Sequence, residues 1–459
     1  MNPTPPSQLR RNLVACTLDG LFATPHVFIN TPGNILLAAL ATKVFLIDKA
    51  MYGLIAALPF VSNGIQLLLM PLLAGRLSAR KISLGFGWAN LAVWIALIVS
   101  LPFFPKDDAM MVGRLLLLYL GVASLFGALG GVGWTSWVQE WIPRRIRGKY
   151  FGLRNRVANL ANVGFLLIVG VYLEYVGNNL NGYIAVFILA GILRVIGFYY
   201  QQSVHSKPSQ TDAVHAGGWI QRLRDMAAAP MFLRFVIFGA LMTFWMNFTG
   251  PFGPVFMYEQ LDLSVARVTL LVVIGTLGSA ISWPIWGHYC DRLGCKPVIF
   301  ASIILWESQN YCWAFITKDF AWILFPMWFW GGLTATGFFL GNFNMLLKLI
   351  PRASKTTGIS INLAITSLAA AMSPVLAGFI LDWVSRSGHD LDMAYRIGFF
   401  VKSSAVLLTL LLLRKVVEPE KDGDLRTLFG ALRSVRQVYH ASGLPAFSNI
   451  HPAKIRRKK

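Results

Sequence analysis

Charged residues are scarce in this sequence, which is built largely from apolar ones. Only 13% of the 459 residues are charged, 56% are hydrophobic, and the mean hydropathy is +0.58. Soluble domains carry about 25% charged residues, so the composition excludes a water-soluble globule. A helix needs about 20 apolar residues to cross the hydrocarbon layer of a bilayer, and this length allows about twelve crossings with short connections. The composition therefore predicts a polytopic protein embedded in a lipid bilayer.

Cysteine is also scarce, and no cofactor or nucleotide motif is present. The four cysteines, Cys16, Cys290, Cys295 and Cys312, are too scattered for a disulfide framework or a metal cage. A glycine-rich phosphate loop ending in Lys and Ser or Thr is missing, which argues against an ATP-driven pump. No nucleophile, base and orienting group form a recognisable set. We therefore expect no cofactor, no bound metal and no enzymatic activity.

Acidic residues are outnumbered by basic ones, 20 to 41, which gives a net charge of +21. A nucleic-acid partner would need these cations on one soluble surface, but they recur between apolar runs. Such spacing is typical of the cytoplasmic loops of membrane proteins. The basic loops follow the second, fourth, eighth and tenth apolar runs, so we predict both termini on the cytoplasmic side of a bacterial inner membrane. No nucleic-acid partner is expected, and we expect a monomer.

Apolar runs recur twelve times along the chain and are numbered here as spans 1 to 12. They cover residues 14–45, 52–73, 82–104, 112–138, 151–176, 184–200, 232–257, 268–286, 298–316, 321–347, 359–384 and 397–413. This pattern predicts a first six-helix bundle over residues 1–200 and a second over 232–415. The linker at 201–231 has an apolar stripe that predicts a helix lying on the membrane surface, and residues 416–459 form a basic cytoplasmic tail.

Matching motifs follow spans 2 and 8, which indicates that the two halves are related. The first loop contains Gly75, Arg76 and Arg80, and the second contains Gly287, Asp291, Arg292, Gly294 and Lys296. Residues 142–144 and 350–352, after spans 4 and 10, both read Ile-Pro-Arg.

These motifs resemble the signature of the major facilitator superfamily, in which a glycine is followed by three residues, an aspartate, an arginine, one residue and another glycine. The second loop follows this pattern, whereas the first has Ala79 in place of the aspartate. Residues 137–152 also resemble a loop from a bacterial branch of the superfamily. The resemblance implies an all-α fold with twelve transmembrane helices in two pseudo-symmetric six-helix bundles. It also implies transport by alternating access, with the two motif loops as gating elements.

Span 1 carries the polar residues that the resemblance would place in a central cavity. At about 100° per residue, Asp19, His26, Asn30 and Asn34 fall within roughly an 80° arc of a continuous helix. Pro25, Pro32 and Gly33 predict kinks that would disturb this register.

Asp19 is the proton-coupling candidate, because an acid near the centre of a bilayer costs about 2.5 to 3.5 kcal/mol and needs a reason to be there. The alternative is an anchoring role near the cytoplasmic end, where Asp19 would meet Arg10, Arg11 or water. His26 is either a substrate or proton contact or a hydrogen-bonded packing residue.

Polar and aromatic residues in spans 7 and 10 complete the predicted substrate cavity. The candidates are Trp245, Asn247, Phe338, Asn342 and Asn344. Such a mixture suits an amphipathic organic solute, although amides also join transmembrane helices to one another. Arg194 in span 6 and Glu307 in span 9 belong to spans that the resemblance places outside the cavity. We expect structural pairing or snorkelling for both.

The sequence as a whole favours a secondary active transporter that moves a small organic solute by alternating access and is coupled to protons. The alternative is a membrane sensor or assembly partner that has the same fold and transports nothing, because a fold alone does not fix a function.

Overall fold

The structure is a computed structural model that describes residues 6–31, 33–74, 76–105, 107–205, 229–350 and 355–419, together with 428 and 430. Within these ranges the secondary structure is helical, without strands. Most of the predicted linker, nearly all of the tail, and Pro32 and Gly75 lie outside the described residues. The prediction of a surface helix in the linker therefore remains untested.

Six spans form the first half, and span 1 is divided between two helices. The helices are α1 (Pro6–Ile29), α2 (Ile35–Ala39, continued by a π-turn over Leu40–Val44), α3 (Lys49–Ala74), α4 (Ala79–Ser100), α5 (Ala109–Trp141), α6 (Arg144–Tyr175) and α7 (Leu180–Gln202). Polar side chains begin several of them, because the first backbone N–H groups of a helix need acceptors. Ser78, Asp108 and Asn179 accept such bonds at the starts of α4, α5 and α7.

The second half repeats this arrangement, and its first span is also divided. The helices are α8 (Pro230–Thr249), α9 (Phe252–Glu259), α10 (Val265–Leu293), α11 (Cys295–Asn310), α12 (Leu324–Leu349), α13 (Lys355–Arg386) and α14 (Leu391–Arg414). Span 9 is the shortest span, because α11 has 16 residues and is followed by a 3-10 turn at Tyr311–Ala314.

The predicted all-α membrane fold is confirmed. Among the described residues, 11 helical segments are long and apolar enough to cross a membrane. The α11 helix occupies the position of the remaining span. Twelve spans therefore follow one another in the predicted order.

The chain forms two compact units. The first contains Met1–Gly217, Met246–Leu270 and Leu363–Tyr395, and the second contains Gly218–Trp245, Leu271–Asn362 and Arg396–Lys459. Within the first unit, α1 packs on α6 and α7, and α5 packs on α3 and α4. Within the second unit, α11 packs on α12. The predicted division of the sequence into bundles over 1–200 and 232–415 stays a prediction.

Candidate functional site

Asp19 lies inside the first unit between two arginines from other helices. The residue is 2% exposed. The Nη1 of Arg194 on α7 donates to Oδ1 of Asp19 at 3.2 Å, and the Nη2 of Arg154 on α6 is 3.7 Å from Oδ2. A lone buried carboxylate would be very unfavourable, and these guanidinium groups compensate for its lost hydration. Two cations and one anion leave an excess positive charge inside the bundle.

Both arginines are also held by contacts that do not involve Asp19. The Nε of Arg154 donates to the carbonyl oxygen of Cys16 at 3.1 Å, and its guanidinium lies 4.4 Å from the ring centre of Trp134. The guanidinium of Arg194 lies 3.8 Å from the ring centre of Phe198. Cation–π contacts of this kind stabilise a desolvated cation. The two cations therefore keep partners when the charge of Asp19 changes.

The predicted partners of Asp19 have to be corrected. Sequence reasoning offered Arg10, Arg11 or water for the anchoring role, whereas the carboxylate contacts Arg154 and Arg194. Arg194 was expected to pair or to snorkel, and the structure shows it paired with Asp19. Arg154 was missed, because the register between α1 and α6 cannot be read from either helix alone.

His26 belongs to a second buried network that joins α1 to α4. Its Nε2 is 2.8 Å from Oδ1 of Asn90, and Nδ2 of Asn90 donates to Oδ1 of Asn30 at 2.9 Å and to the carbonyl of Ala123 at 2.7 Å. The indole Nε1 of Trp94 also donates to Oδ1 of Asn30, at 2.7 Å. Because the amide of Asn90 donates twice, its oxygen accepts from His26, which places the proton of the neutral imidazole on Nε2. His26 and Asn30 therefore both connect α1 to α4.

Asn34 does not share a continuous helical face with Asp19. The first helix ends at Ile29, and Oδ1 of Asn34 accepts from the N–H groups of Leu36 and Leu37 at 2.9 and 3.0 Å. Its amide caps the start of α2. The predicted four-residue face thus divides into the Asp19 ion pair, the His26–Asn30 network and a helix cap.

The candidates in the second half occupy two helices. Trp245 and Asn247 are half-buried near the end of α8, and the Trp245 ring meets that of Phe244 edge to face at 5.1 Å. Phe338 is buried on α12, where Asn342 and Asn344 are half-buried. The Oδ1 of Asn342 is buried without a hydrogen-bond partner in the described part of the chain. Roles in substrate binding for these five residues stay predictions.

Glu307 forms a buried ion pair inside the second unit. The Nζ of Lys402 on α14 donates to both carboxylate oxygens, at 2.8 and 2.9 Å, and Glu307 is 0% exposed. The ammonium also lies 5.4 Å from the ring centre of Trp306. The prediction of structural pairing for Glu307 is confirmed.

Arg80 anchors the first motif loop to the end of α7. Its Nη2 donates to the carbonyl of Gln202 at 2.8 Å, and its guanidinium lies 5.6 Å from the ring centre of Trp137. Arg76 is exposed, and Gly75 lies outside the described residues. This loop is therefore held by an arginine and a backbone carbonyl.

The second motif loop is held by an acid that the sequence did not point to. Glu418, just after α14, accepts from the N–H groups of Cys295 and Lys296 at 2.9 and 2.8 Å and from Nζ of Lys348 at 2.6 Å. Burial would raise the pKa of Glu418, but the Cys295 and Lys296 backbone bonds and the Lys348 ammonium hold that pKa below its ordinary value.

The motif residues of this loop have separate positions. Asp291 and Arg292 are exposed, whereas Nζ of Lys296 donates to the carbonyls of Arg414 and Val416 at 3.1 and 2.7 Å. Gly294 has φ +101°, which favours glycine, and Gly287 lies against Leu340. The acid that caps the start of α11 is therefore Glu418.

The second helix of each divided span lies in the first unit, where α9 contacts α2 and the residue before α9 contacts α3. The hydroxyl of Tyr52 donates to the carbonyl of Pro251 at 3.1 Å, and that of Tyr258 donates to the carbonyl of Ile35 at 3.1 Å. Lys49 and Glu259 form an ion pair beside them. Gly53 of α3 and Gly378 of α13 lie in close contact, where a Cβ on Gly53 would collide with the carbonyl oxygen of Pro374.

Comparisons with known proteins agree with this fold. A sequence model described as Major Facilitator Superfamily matches residues 235–448. The structure of a bacterial homologue of the human lysosomal transporter Spinster is 15% identical with a TM-score of 0.65, and the match covers 90% of this chain and 98% of that one. The D-xylose-proton symporter is 14% identical with a TM-score of 0.66 and coverages of 90% and 99%. The nucleoside transporter NupG is 14% identical with a TM-score of 0.61 and coverages of 90% and 100%. No curated protein sequence matches the chain.

The second half of the chain matches the Major Facilitator Superfamily, and the whole chain is similar in fold to transporters of known structure.

The family match and the fold of the neighbouring structures support a multi-pass membrane transporter rather than an enzyme. The predicted family and the predicted twelve-span fold are both confirmed. Neighbours at this level of identity establish the fold alone.

Proposed function

We propose that the protein is a secondary active transporter that moves a small organic solute across a bacterial cytoplasmic membrane by alternating access, with protons as the coupling ion. The observation that carries the proposal is the buried carboxylate of Asp19 between Arg154 and Arg194. Membrane-embedded acids with this degree of burial are typical of proton pathways.

The ion pair has two states of different charge. With Asp19 ionised, the carboxylate draws α6 and α7 toward α1 through the two guanidinium groups. With Asp19 protonated, the attraction is lost, while each arginine keeps its aromatic partner, Trp134 or Phe198. Gain or loss of one proton therefore changes how strongly α1 is held, and this bias can shift a two-state equilibrium between conformations.

The candidate side chains of spans 1, 7 and 10 would each be able to contact the solute. Asn342 supports this assignment, because its buried Oδ1 has no hydrogen-bond partner among the described residues and could accept from a solute. The neighbours named as nucleoside and D-xylose-proton transporters are in keeping with a polar organic solute and with protons. The basic loops support an orientation with both termini in the cytoplasm, and the protein would work as a monomer.

Reconstitution into liposomes tests this function. The purified protein is given an imposed pH gradient, and lumenal pH is recorded while pooled sugars, nucleosides, amino acids, organic acids and cationic drugs are added. We expect a pool to produce substrate-dependent proton flux, and we expect Asp19→Asn to abolish it. The matched control is Glu307→Met combined with Lys402→Met, which removes a buried ion pair from the second unit without leaving a charge unpaired, and it should retain the flux.

The other outcomes separate the alternatives. Equal flux in the wild type and Asp19→Asn would move the coupling site away from span 1. Solute uptake without proton flux would retain transport and overturn the coupling ion. If folded protein produces neither solute uptake nor proton flux with any pool, the alternative of a sensor or assembly partner is favoured.

A further inference from the structure

Helix α6 presents three polar side chains on one side. Asn155, Arg156 and Asn159 are exposed, and at about 100° per residue they fall within an arc of about 100° around the helix axis. The helical segment Arg145–Tyr175, which contains them, is long and apolar enough to cross a membrane. Polar groups inside a span need water or protein partners, because hydrocarbon offers no hydrogen bonds. We refer to Asn155, Arg156 and Asn159 as the polar face of α6.

The lipid-facing surface of α6 lies on another side of the helix. Leu153, Leu160 and Val171 are exposed and form an apolar stripe, which is centred about 100° from the centre of the polar face. Apolar side chains that are exposed on a membrane span meet lipid. Arg154, which pairs with Asp19, projects from a third side, about 150° from the polar face. The polar face is therefore separate from both the lipid stripe and the Asp19 ion pair.

Farther along α6, the side that carries the polar face packs against protein. A Cβ on Gly170 would collide with the side-chain oxygen of Thr269 and approach the Cα of Ala266, near the start of α10. These residues all belong to the first unit, and the position of Gly170 lies within about 10° of the centre of the polar face. This side of α6 is therefore directed toward protein and away from lipid. Its polar part is exposed because it borders an aqueous space.

Snorkelling does not account for the polar face. A long arginine side chain within a span can reach the headgroup region, but an asparagine side chain is too short to do so. Asn159 lies about 4.5 Å farther into the span than Arg156 along the helix axis. The surface beside them is open, because a Cβ on Gly152 would meet nothing within 4 Å. Ionisable residues inside membrane proteins commonly face water-filled cavities, and α6 gives Arg156 such a position.

Arg156 carries a charge that has no ion-pair partner in the described part of the chain. It takes part in no hydrogen bond there either. Arg154 and Arg194 already outnumber Asp19, so the positive charge around the polar face is in excess. Excess charge of one sign in a confined aqueous space raises the local concentration of the opposite ion. The planar guanidinium group binds carboxylate and phosphate groups through two parallel hydrogen bonds.

We propose that the polar face of α6 is a binding site for an organic anion. Arg156 binds a carboxylate or phosphate group of this anion, and Asn155 and Asn159 bind its hydroxyl or carbonyl groups. The inference rests on the proposed function and narrows the solute from small organic molecules to anionic ones. It also adds span 5 to spans 1, 7 and 10 as a part of the chain that contacts the solute.

Water accessibility tests the position of the polar face and requires no transport. The full-length protein carrying Cys312→Ser has only buried native cysteines. In membrane fragments, a water-soluble maleimide should label Asn159→Cys, because maleimide reacts with a thiolate, which forms in water. The matched control is Leu160→Cys, the next residue on α6, which belongs to the lipid stripe and should react several-fold more slowly. The proposal is overturned if Asn159→Cys is not labelled, or if both variants react at the same rate.

Ligand binding to purified protein in detergent tests the charge of the solute. Isothermal titration calorimetry is performed with succinate, citrate and glycerol phosphate, and with succinamide, which has the shape of succinate without its charge. We expect at least one of the anions to bind and succinamide not to bind. Arg156→Gln should weaken binding of that anion about 10- to 100-fold, because it removes a charged hydrogen-bond donor. The matched control, Arg145→Gln, removes the same charge from the exposed first turn of α6 and should bind as the wild type does.

The outcomes separate this inference from the proposed function. If folded wild-type protein binds none of these anions, or if Arg156→Gln binds them as tightly as the wild type, the anion site is overturned. Uptake of a neutral or cationic solute that Arg156→Gln does not affect also overturns the anion site, but it leaves transport intact. Anion binding that Arg156→Gln weakens, without uptake into liposomes, supports the site and counts against transport.

Discussion

Three acidic residues illustrate how this membrane protein accommodates buried charge. Asp19 contacts two arginines, Glu307 contacts Lys402, and Glu418 accepts from Lys348 and two backbone N–H groups. Each acid meets a cation from a distant part of the chain, as the high cost of desolvation requires. The positions of Asp19 and Glu307 could be identified from the sequence, because a charge within an apolar run is conspicuous, whereas Glu418 lies beyond the last apolar run. Their partners could not, because they depend on the rotation of neighbouring helices.

The Glu307–Lys402 pair predicts a non-additive double variant. Lys402→Met leaves a carboxylate buried without its cation and should lower the free energy of unfolding by about 3 to 5 kcal/mol. Glu307→Met combined with Lys402→Met removes both charges and should recover most of that loss. Thermal unfolding in detergent measures both effects. If the double variant loses as much free energy of unfolding as the two single variants together, the stabilities do not depend on the pairing of Glu307 with Lys402.

Glu418 predicts a pH-dependent loop. Its pKa is lower in the folded protein than in the unfolded chain, so its contribution to stability is present above the unfolded value and is lost as pH falls through the folded value. Amide exchange at the start of α11 should therefore accelerate under acid. In Glu418→Gln, amide exchange at the start of α11 should be fast at every pH tested and should lack the additional acceleration under acid. The same acid response in both proteins would contradict the assignment.

At the scale of the helix, the divided spans 1 and 7 were only partly predictable. Pro25, Pro32 and Gly33 predict a disturbed helical register, and the helix is indeed interrupted, yet α1 continues through Pro25 and ends at Ile29. A proline within a helix removes one hydrogen bond, and packing can tolerate that loss. The matching break between Thr249 and Phe252 was not predicted, because a Gly-Pro pair inside an apolar run reads equally well as a packed helix.

The close approach of α3 and α13 makes a prediction with a control on the same helix. Gly53→Val would place a Cβ against the Pro374 carbonyl and should cost about 1 to 3 kcal/mol through overpacking. Gly64→Val, also on α3, meets nothing within 4 Å and should be nearly neutral. Thermal unfolding distinguishes the two variants. A cysteine placed at the buried position 50 (Ala50→Cys) provides a second measurement, because its alkylation should become faster when Gly53→Val separates α3 from α13 and should not change with Gly64→Val. Equal effects of both substitutions would mean that the glycine contact does not hold these helices together.

At the scale of the whole molecule, hydropathy predicted the number and order of the spans well. Each span must hydrogen-bond its own backbone N–H and C=O groups and must present apolar side chains to lipid. Both requirements are met by residues close together in the sequence, so a run of apolar residues reveals them. Packing between distant spans is not local, which explains why Arg154, Asn90 and Glu418 were missed. Asn34 was misplaced for a related reason, because its capping role depends on where α1 stops.

The predicted orientation can be tested with a native cysteine. Cys312 is exposed at the end of α11 that is opposite to the basic loops, so it should face outward. A membrane-impermeant maleimide should label it in intact cells, and Cys312→Ser should abolish that labelling. Labelling that requires permeabilised cells would reverse the orientation of the chain.

The central claim is that Asp19 couples the solute to protons, and the most direct measurement compares net uptake with exchange in Asp19→Asn. The amide is neutral, as the protonated acid is, so the variant should still exchange labelled for unlabelled solute across liposomes. Unlike the wild type, it should not accumulate solute when a pH gradient is imposed. Accumulation by Asp19→Asn to the wild-type level would contradict the account.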